Sequence, residues 1–358
     1  MYRLAFILVL LASLLGGCSS GEDNGGQSAQ STKIWRFALE EIQGSVQDAY
    51  AQQFARLVEQ KTDGKVSIDV YPYGSLGTSA QLTELVRSGA VQLAFASPGH
   101  LGSVIPEVQV FSIHYLFPKD DQVIHEVLSD SPTLYGPLAE AYDDKELKLL
   151  SLIPEGWMVW TANKPIHEPA DFQGVKIRTM VSPLLLKAYE AYGANPTPMP
   201  YSEVYSGLQL NMIDAQVNPV FAIEEMGFYE QQKDMIFGYH LPFVASVVMN
   251  PKFFDSLPED QQQALMSAKR ELDDYIFEKE KSLNAERLKK IEQAGGTNII
   301  RLDDRQIATF RDAASGIPDE YVKLVCDSGE KACKRGKAIL SGLRKELRTP
   351  EASNAPTN

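Results

Sequence analysis

Three side chains stand where a strand end or the turn after it delivers them to one mouth: Arg178, Tyr201 and Asn218. Arg178 falls near the end of the strand-like run 175–179, Asn218 follows the run 212–217, and Tyr201 immediately precedes a helix start at Ser202. In open α/β sheets ligands sit beyond the C-terminal ends of the strands. If the two strands are parallel neighbours, a guanidinium, an amide and a ring converge. A guanidinium grips a carboxylate at two points, and a desolvated cleft strengthens the grip. The amide adds a donor, and the ring covers an apolar flank. Each residue also has an ordinary reading. An arginine at a strand end pairs with a neighbouring acid as readily, and tyrosine and asparagine serve cores and turns.

Catalytic chemistry finds less support. His100, His114, His125, His167 and His240 are scattered, with neither the i, i+4 partner nor the cysteine neighbours of a zinc site. The G-x-S-x-G spelling occurs only at Gly17-Cys18-Ser19-Ser20-Gly21, outside any strand-to-helix elbow, and there is no P-loop and no G-x-G-x-x-G after a strand. No cofactor or metal is expected. A dispersed site of aspartates and glutamates stays open as an alternative.

The elements that position the three residues can be read from periodicity. The run 33–39 predicts a strand, Val46, Tyr50, Phe54 and Val58 a helix, and Val66, Ile68 and Val70 a second strand. A short helix from Ser79 and a strand over 91–96 complete a β-α-β-α-β lobe. The pattern restarts at Val175 and predicts a second α/β lobe, with the apolar run 246–249 returning to the first. From Pro258 no breaker occurs until Gly295-Gly296, so the apolar stripe Leu265, Leu272, Ile276, Leu283 and Ile291 predicts one helix. At 1.5 Å per residue it is about 50 Å long, more than one small lobe. The expected architecture is two α/β lobes with this helix lying across both. The first lobe takes 33–155 with 244–283, and the second takes 156–243 with 284–347. The basic run 331–348 reads as a solvated helix, and 348–358 as a disordered tail.

The ends set the compartment. Met1-Tyr2-Arg3 precedes the apolar stretch 5–15, which suits a signal peptide and is too short to span a bilayer. It ends in Leu15-Gly16-Gly17-Cys18, which resembles a lipobox. The expectation is a signal peptide over 1–17, lipidation of Cys18, and a flexible tether over 18–32. The only membrane attachment expected is that lipid. The net charge of −13 argues against nucleic acid and against wholesale steering of anions, so an anionic ligand must be held by local cations. Cys326 and Cys333 suit a disulfide in an oxidising compartment. On one continuous helix they would lie about 10 Å apart, so a bond requires a break at Asp327-Ser328-Gly329.

The same segments carry a family likeness. Asp171-Phe172-Gln173-Gly174-Val175-Lys176-Ile177-Arg178 resembles the DLKGLKIR signature of the solute-binding subunits of TRAP transporters. The segment 198–209, opening Pro198-Met199-Pro200-Tyr201-Ser202-Glu203-Val204-Tyr205, resembles that family's PMPFSEVYTALQ. Ile213-Asp214-Ala215-Gln216-Val217-Asn218-Pro219 resembles its VDGQENP. The resemblance implies lobes that close around a small organic acid and deliver it to TRAP membrane subunits. It assigns Arg178 to the ligand carboxylate, Tyr201 to the motif aromatic and Asn218 to the motif asparagine. Alternatives of another class are a lipoprotein sensor using the same lobes and an exported acid-base enzyme.

Two departures bear on the ligand. Many members carry a second arginine about twenty residues earlier, where this chain reads Gly156-Trp157-Met158-Val159-Trp160, and Val217 replaces the motif glutamate. The expected ligand is therefore a monocarboxylate with an apolar or aromatic body resting against Trp157 or Met158. From the first lobe, Glu41 and the turn Ser97-Pro98-Gly99-His100 are expected to complete the site.

Overall fold

The structure, a computed structural model, describes residues 32–347. The signal peptide, Cys18, the tether up to Ser31 and the tail from Arg348 lie outside the described residues. Eleven strands form two sheets: β1 (Lys33–Ala38), β2 (Val66–Tyr71), β3 (Leu93–Phe95), β4 (Lys148–Trp157), β5 (Val159–Ala162), β6 (Lys176–Thr179), β7 (Asn195–Pro198), β8 (Ala215–Asn218), β9 (Asp234–Phe237), β10 (Pro242–Met249) and β11 (Asn298–Arg301). The first sheet runs β2-β1-β3-β10-β4 and the second β11-β9-β5-β8-β6-β7.

In the first lobe, β1 pairs in parallel with β2 and β3, as the β-α-β reading expects. The helix Val46–Lys61 begins where the Ser45 side chain accepts from the Asp48 N–H, and it buries Tyr50, Phe54 and Val58. β10 returns from the second lobe and pairs antiparallel with β3 and β4. In the second lobe β6 lies between β7 and β8, parallel to both. β8 begins three residues later than the sequence suggests. Met212 and Ile213 are held in the preceding helical turn by bonds from their N–H groups to the Gly207 carbonyl, and Asn211 is left-handed at φ 57°.

The long helix Glu259–Ala294 spans 36 residues. It packs on the helix Val46–Lys61 and β4 of the first lobe and on the helix Val220–Glu225 of the second. Asn284 ties the two directly. Its Nδ2 donates to the Glu155 carbonyl (3.0 Å), and its Oδ1 accepts from the Phe221 N–H (3.1 Å). Arg287 adds ion pairs to Glu224 (2.8 Å) and Glu225 (3.2 Å).

The C-terminal region bears out the disulfide and alters the expected division. The helices Ile317–Asp327 and Glu330–Glu346 are separated at Ser328-Gly329, and Cys326 is bonded to Cys333. The first of these helices packs on Pro183–Glu190 of the second lobe, but the last packs on Pro106–Ser112 and Leu134–Leu138 of the first. Grouping 284–347 wholly with the second lobe is therefore incorrect: Arg335 is buried against Glu107 (3.3 Å) and Asp144 (2.8 Å). The run 331–348 is correspondingly not all solvated.

Gly156 sits where β4 leaves the first sheet. Its φ is +112°, and a Cβ there would lie 2.6 Å from Asn284 Nδ2. Gly156→Ala is expected to cost about 2–3 kcal/mol through backbone strain and displacement of the Asn284 bridge. Urea unfolding checks this, and a change below about 0.5 kcal/mol would show that neither constraint operates.

Candidate ligand-binding site

Arg178 occupies β6 opposite Thr197 of β7 and Gln216 of β8. Its side chain is 1% exposed. Nε and Nη2 both donate to the Met199 carbonyl, at 3.0 and 2.9 Å, which fixes the plane of the guanidinium. Among the described residues no acid pairs with it. Burial pushes the guanidinium down to about 10, and the nearby Tyr201 and Tyr73 hydroxyls act in the opposite direction. It stays protonated at neutral pH. The reading of Arg178 as one half of a structural ion pair therefore fails.

Asn218 and Tyr201 reach the same cavity as Arg178. Asn218 Nδ2 donates to the Gln216 side chain, which donates on to Thr161 Oγ1 (2.9 Å), so the amide is held by a chain of buried partners. Tyr201 is half-buried, edge-on to both Tyr73 and Phe228 with ring centroids 5.8 Å apart. The parallel order β7-β6-β8 is what brings the three together.

The facing wall is acidic. Glu41 and Ser97 line it, as expected, and so does Glu40, which the sequence reading passed over. Glu40 Oε2 accepts from the Ser97 N–H (2.8 Å) and from its hydroxyl, while Oε1 is buried without a partner. Burial raises the Glu41 carboxyl to about 7, against bonds from Glu155, Gln47 and Ser45. Glu155 is fully buried, and burial together with Glu41 holds its carboxyl well above the usual range. Gln47 Nε2 donates to Glu155 Oε1 (3.1 Å), and Glu155 Oε2 has no partner. His100 also lines the cavity. Burial lowers its pKa, Glu40 raises it and Arg178 lowers it.

Other expected contacts lie elsewhere. Trp157 and Met158 are absent from this cavity's lining, and so is Pro98, which is buried at the start of the short helix Pro98–Leu101. The reason for Trp157 is strand alternation. Gly156 pairs with Phe243 and Trp157 with Pro242 across β4 and β10, and opposite residues share a face. Phe243 faces the cleft, so Trp157 faces away from it with Pro242. Its Nε1 donates to Asp121 Oδ1 (3.3 Å). Met158 is buried in the core, and Trp160 stacks on His240 at 4.4 Å. The apolar walls of the cleft come instead from Tyr201, Phe243, Met180, Ala222 and Pro219. Phe243 and Met180 carry no sequence signal, because only the return of β10 and the approach of the two lobes bring them in.

Comparison with known proteins bears on what this geometry serves. Residues 37–324 match the family of bacterial extracellular solute-binding proteins, family 7 (DctP). The chain is 38% identical over 323 residues to the ectoine-binding periplasmic protein TeaA of Halomonas elongata, covering 90% of this chain and 94% of that one. It is 35% identical over 317 residues to the ectoine/5-hydroxyectoine-binding protein UehA of Ruegeria pomeroyi, covering 88% and 93%. Among solved structures, an apo open TRAP periplasmic solute-binding protein from Marinobacter aquaeolei superposes with a TM-score of 0.81 at 44% identity, over 87% of this chain and 99% of that one. The TeaA structure superposes at 0.83 and 37% identity, over 89% and 100%. The chain belongs to the family 7 bacterial extracellular solute-binding proteins, as a TRAP-type periplasmic receptor and not an enzyme.

Proposed function

We propose that the cleft captures a small monocarboxylate with a cationic group at its other end, of the ectoine kind, and that the closed receptor delivers it to TRAP membrane subunits. One observation carries the reading: a buried guanidinium without an acid partner lines the same cavity as Glu40, a buried carboxylate with one unfilled oxygen, and its neighbour Glu41. A carboxylate completes the first and a cation completes the second. Two relatives whose names state ectoine binding support the choice of zwitterion. The expectation of one carboxylate and an apolar flank is kept, with Tyr201 and Phe243 in place of Trp157 and Met158. Arg178, Asn218 and Tyr201 come from the second lobe and Glu40, Glu41 and Ser97 from the first, so a ligand touching both walls favours closure. The motif ending at Cys18 supports a lipid anchor. Cys18→Ser is expected to move the protein from the membrane to the soluble fraction, and unchanged membrane retention would refute the anchor.

Arg178→Ala is expected to weaken ectoine binding at least ~100-fold while circular dichroism shows the fold kept, since a charge-assisted contact is worth about 3 kcal/mol in a desolvated site. Isothermal titration calorimetry measures it, and retained affinity would remove Arg178 from the site.

The acidic wall makes a separate prediction. Below about 7 a proton occupies Glu41 and competes with a bound cation, so ectoine affinity should rise with pH up to about 7 and then level off. The slope is at most about tenfold per pH unit for one proton. Glu41→Gln should weaken binding at pH 8 and flatten the profile. A monocarboxylate without a cation, bound more tightly than ectoine and with no loss in Glu41→Gln, would overturn the zwitterion reading.

A further inference from the structure

Trp157 was singled out by the sequence and has no place in the cleft. It lines a second cavity together with Asp121, Phe237, Tyr239, Phe277, Glu280 and Lys281. The two cavities share no lining residue, yet they lie back to back. Pro219 and Phe243 line the cleft, and their neighbours Val220 and Pro242 line the second cavity. Its walls come from both sheets and from the middle of the long helix.

The chemistry of the lining is specific. Four aromatic rings surround two carboxylates. Trp157 stands edge-on to Tyr239, with centroids 5.7 Å apart. Asp121 accepts from the Trp157 indole, and one Glu280 oxygen accepts from Asn284 Nδ2 (3.1 Å). Glu280 is only 6% exposed, and burial followed by repulsion from Asp121 raises its carboxyl to about 8. Among the described residues neither carboxylate has an ion-pair partner. The nearest ammonium groups stand over the rings instead: Lys281 Nζ lies 4.5 Å from the Phe277 centroid, and Lys119 Nζ lies 3.9 Å from that of Tyr239. With Arg301 over Phe237 (4.6 Å), three of the four rings already present a face to a cation. Lys281 also lines the cavity and acts on Glu280 from a distance, without a direct ion pair. A buried carboxyl without a direct ion pair, among aromatic faces, is an environment that suits a cation unable to hydrogen-bond.

We propose that this cavity is a second ligand site, for a compact organic cation of the quaternary ammonium class, with the aromatic faces holding the cation and Asp121, joined by Glu280 once the cation draws it into its ionised form, supplying the counter-charge. It is separate from the carboxylate cleft and does not depend on the ligand assigned there.

Tetramethylammonium chloride is the probe, titrated into the purified protein against sodium chloride at equal ionic strength. Trp35 and Trp160 are buried, so Trp157 is the tryptophan placed to report. The expected result is a saturable change in tryptophan emission that sodium chloride does not produce. Glu280→Gln should weaken it at least tenfold, and Glu41→Gln, in the other cavity, should leave it unchanged. Trp157→Phe should remove the emission change, while a thermal shift with tetramethylammonium persists. Should Glu280→Gln fail to fold, Tyr239→Leu tests the aromatic wall, with the same tenfold loss expected. A linear or absent response in the parent protein overturns the proposal. So does a response that survives Glu280→Gln and disappears in Glu41→Gln, because the cation would then be in the cleft.

Discussion

The structure turns on a guanidinium buried without an acid. Arg178 is held by two bonds to a single carbonyl, that of Met199, and that carbonyl fixes its direction without neutralising it. A carboxylate in the same place would have cancelled the charge and left an inert ion pair. The carbonyl leaves the charge available, and the guanidinium lines the cleft. Desolvation is unfavourable for such a group, and it is tolerated because the rest of the second lobe is a rigid sheet that over-determines its position.

A site divided between lobes needs connections that hold both without welding them. Three are visible. The long helix spans the lobes, and Asn284 binds backbone on each side. Gln109 of the first lobe accepts from Ser182 (3.0 Å) and from the Leu184 N–H (2.9 Å) of the second. Of the two C-terminal helices joined by the disulfide, Ile317–Asp327 packs on both lobes and Glu330–Glu346 on the first. Polar, pairwise contacts of this kind exchange for water at modest cost. The apolar cluster beneath them, which runs through both lobes from Leu101, Phe111 and Leu128 to Trp160, Leu184 and Tyr189, does not, and it limits how far the lobes part. Gly99 marks how close the approach is: a Cβ there would lie 2.4 Å from the Met180 sulfur.

The legible part of the site was the part encoded locally. Arg178 and Asn218 lie at the ends of β6 and β8 and Tyr201 just after β7, so strand order alone decides whether they meet. β4 left no alternation because it is buried on both faces over most of its length. Without β4, the antiparallel register that turns Trp157 away from the cleft was invisible, and the indole was assigned to the wrong cavity. The acidic wall was half-read for a similar reason. Glu41 follows β1, but its partner Glu155 arrives from β4, and Gln47 bridges to it across 108 residues. The last helix was misplaced because its buried anchor, Arg335, looks in sequence like one more member of a solvated basic run.

Charge arrangement, not net charge, decides how an acidic chain would hold the carboxylate proposed for it. At a net charge of −13 the long-range field repels anions, and Arg178 is too deeply buried to attract one from a distance. The attraction has to be local and to act late, once the lobes have excluded water. The same exclusion of water penalises the facing carboxyls. Burial drives Glu41 and Glu155 toward protonation. A simple anion would satisfy Arg178 and worsen the field at those acids. A zwitterion satisfies both walls with no net charge transferred into the protein, so it removes the long-range repulsion and both desolvation penalties together. The missing second arginine is then no loss of grip: a further cation in the cleft would compete with the ligand's own for Glu40 and Glu41.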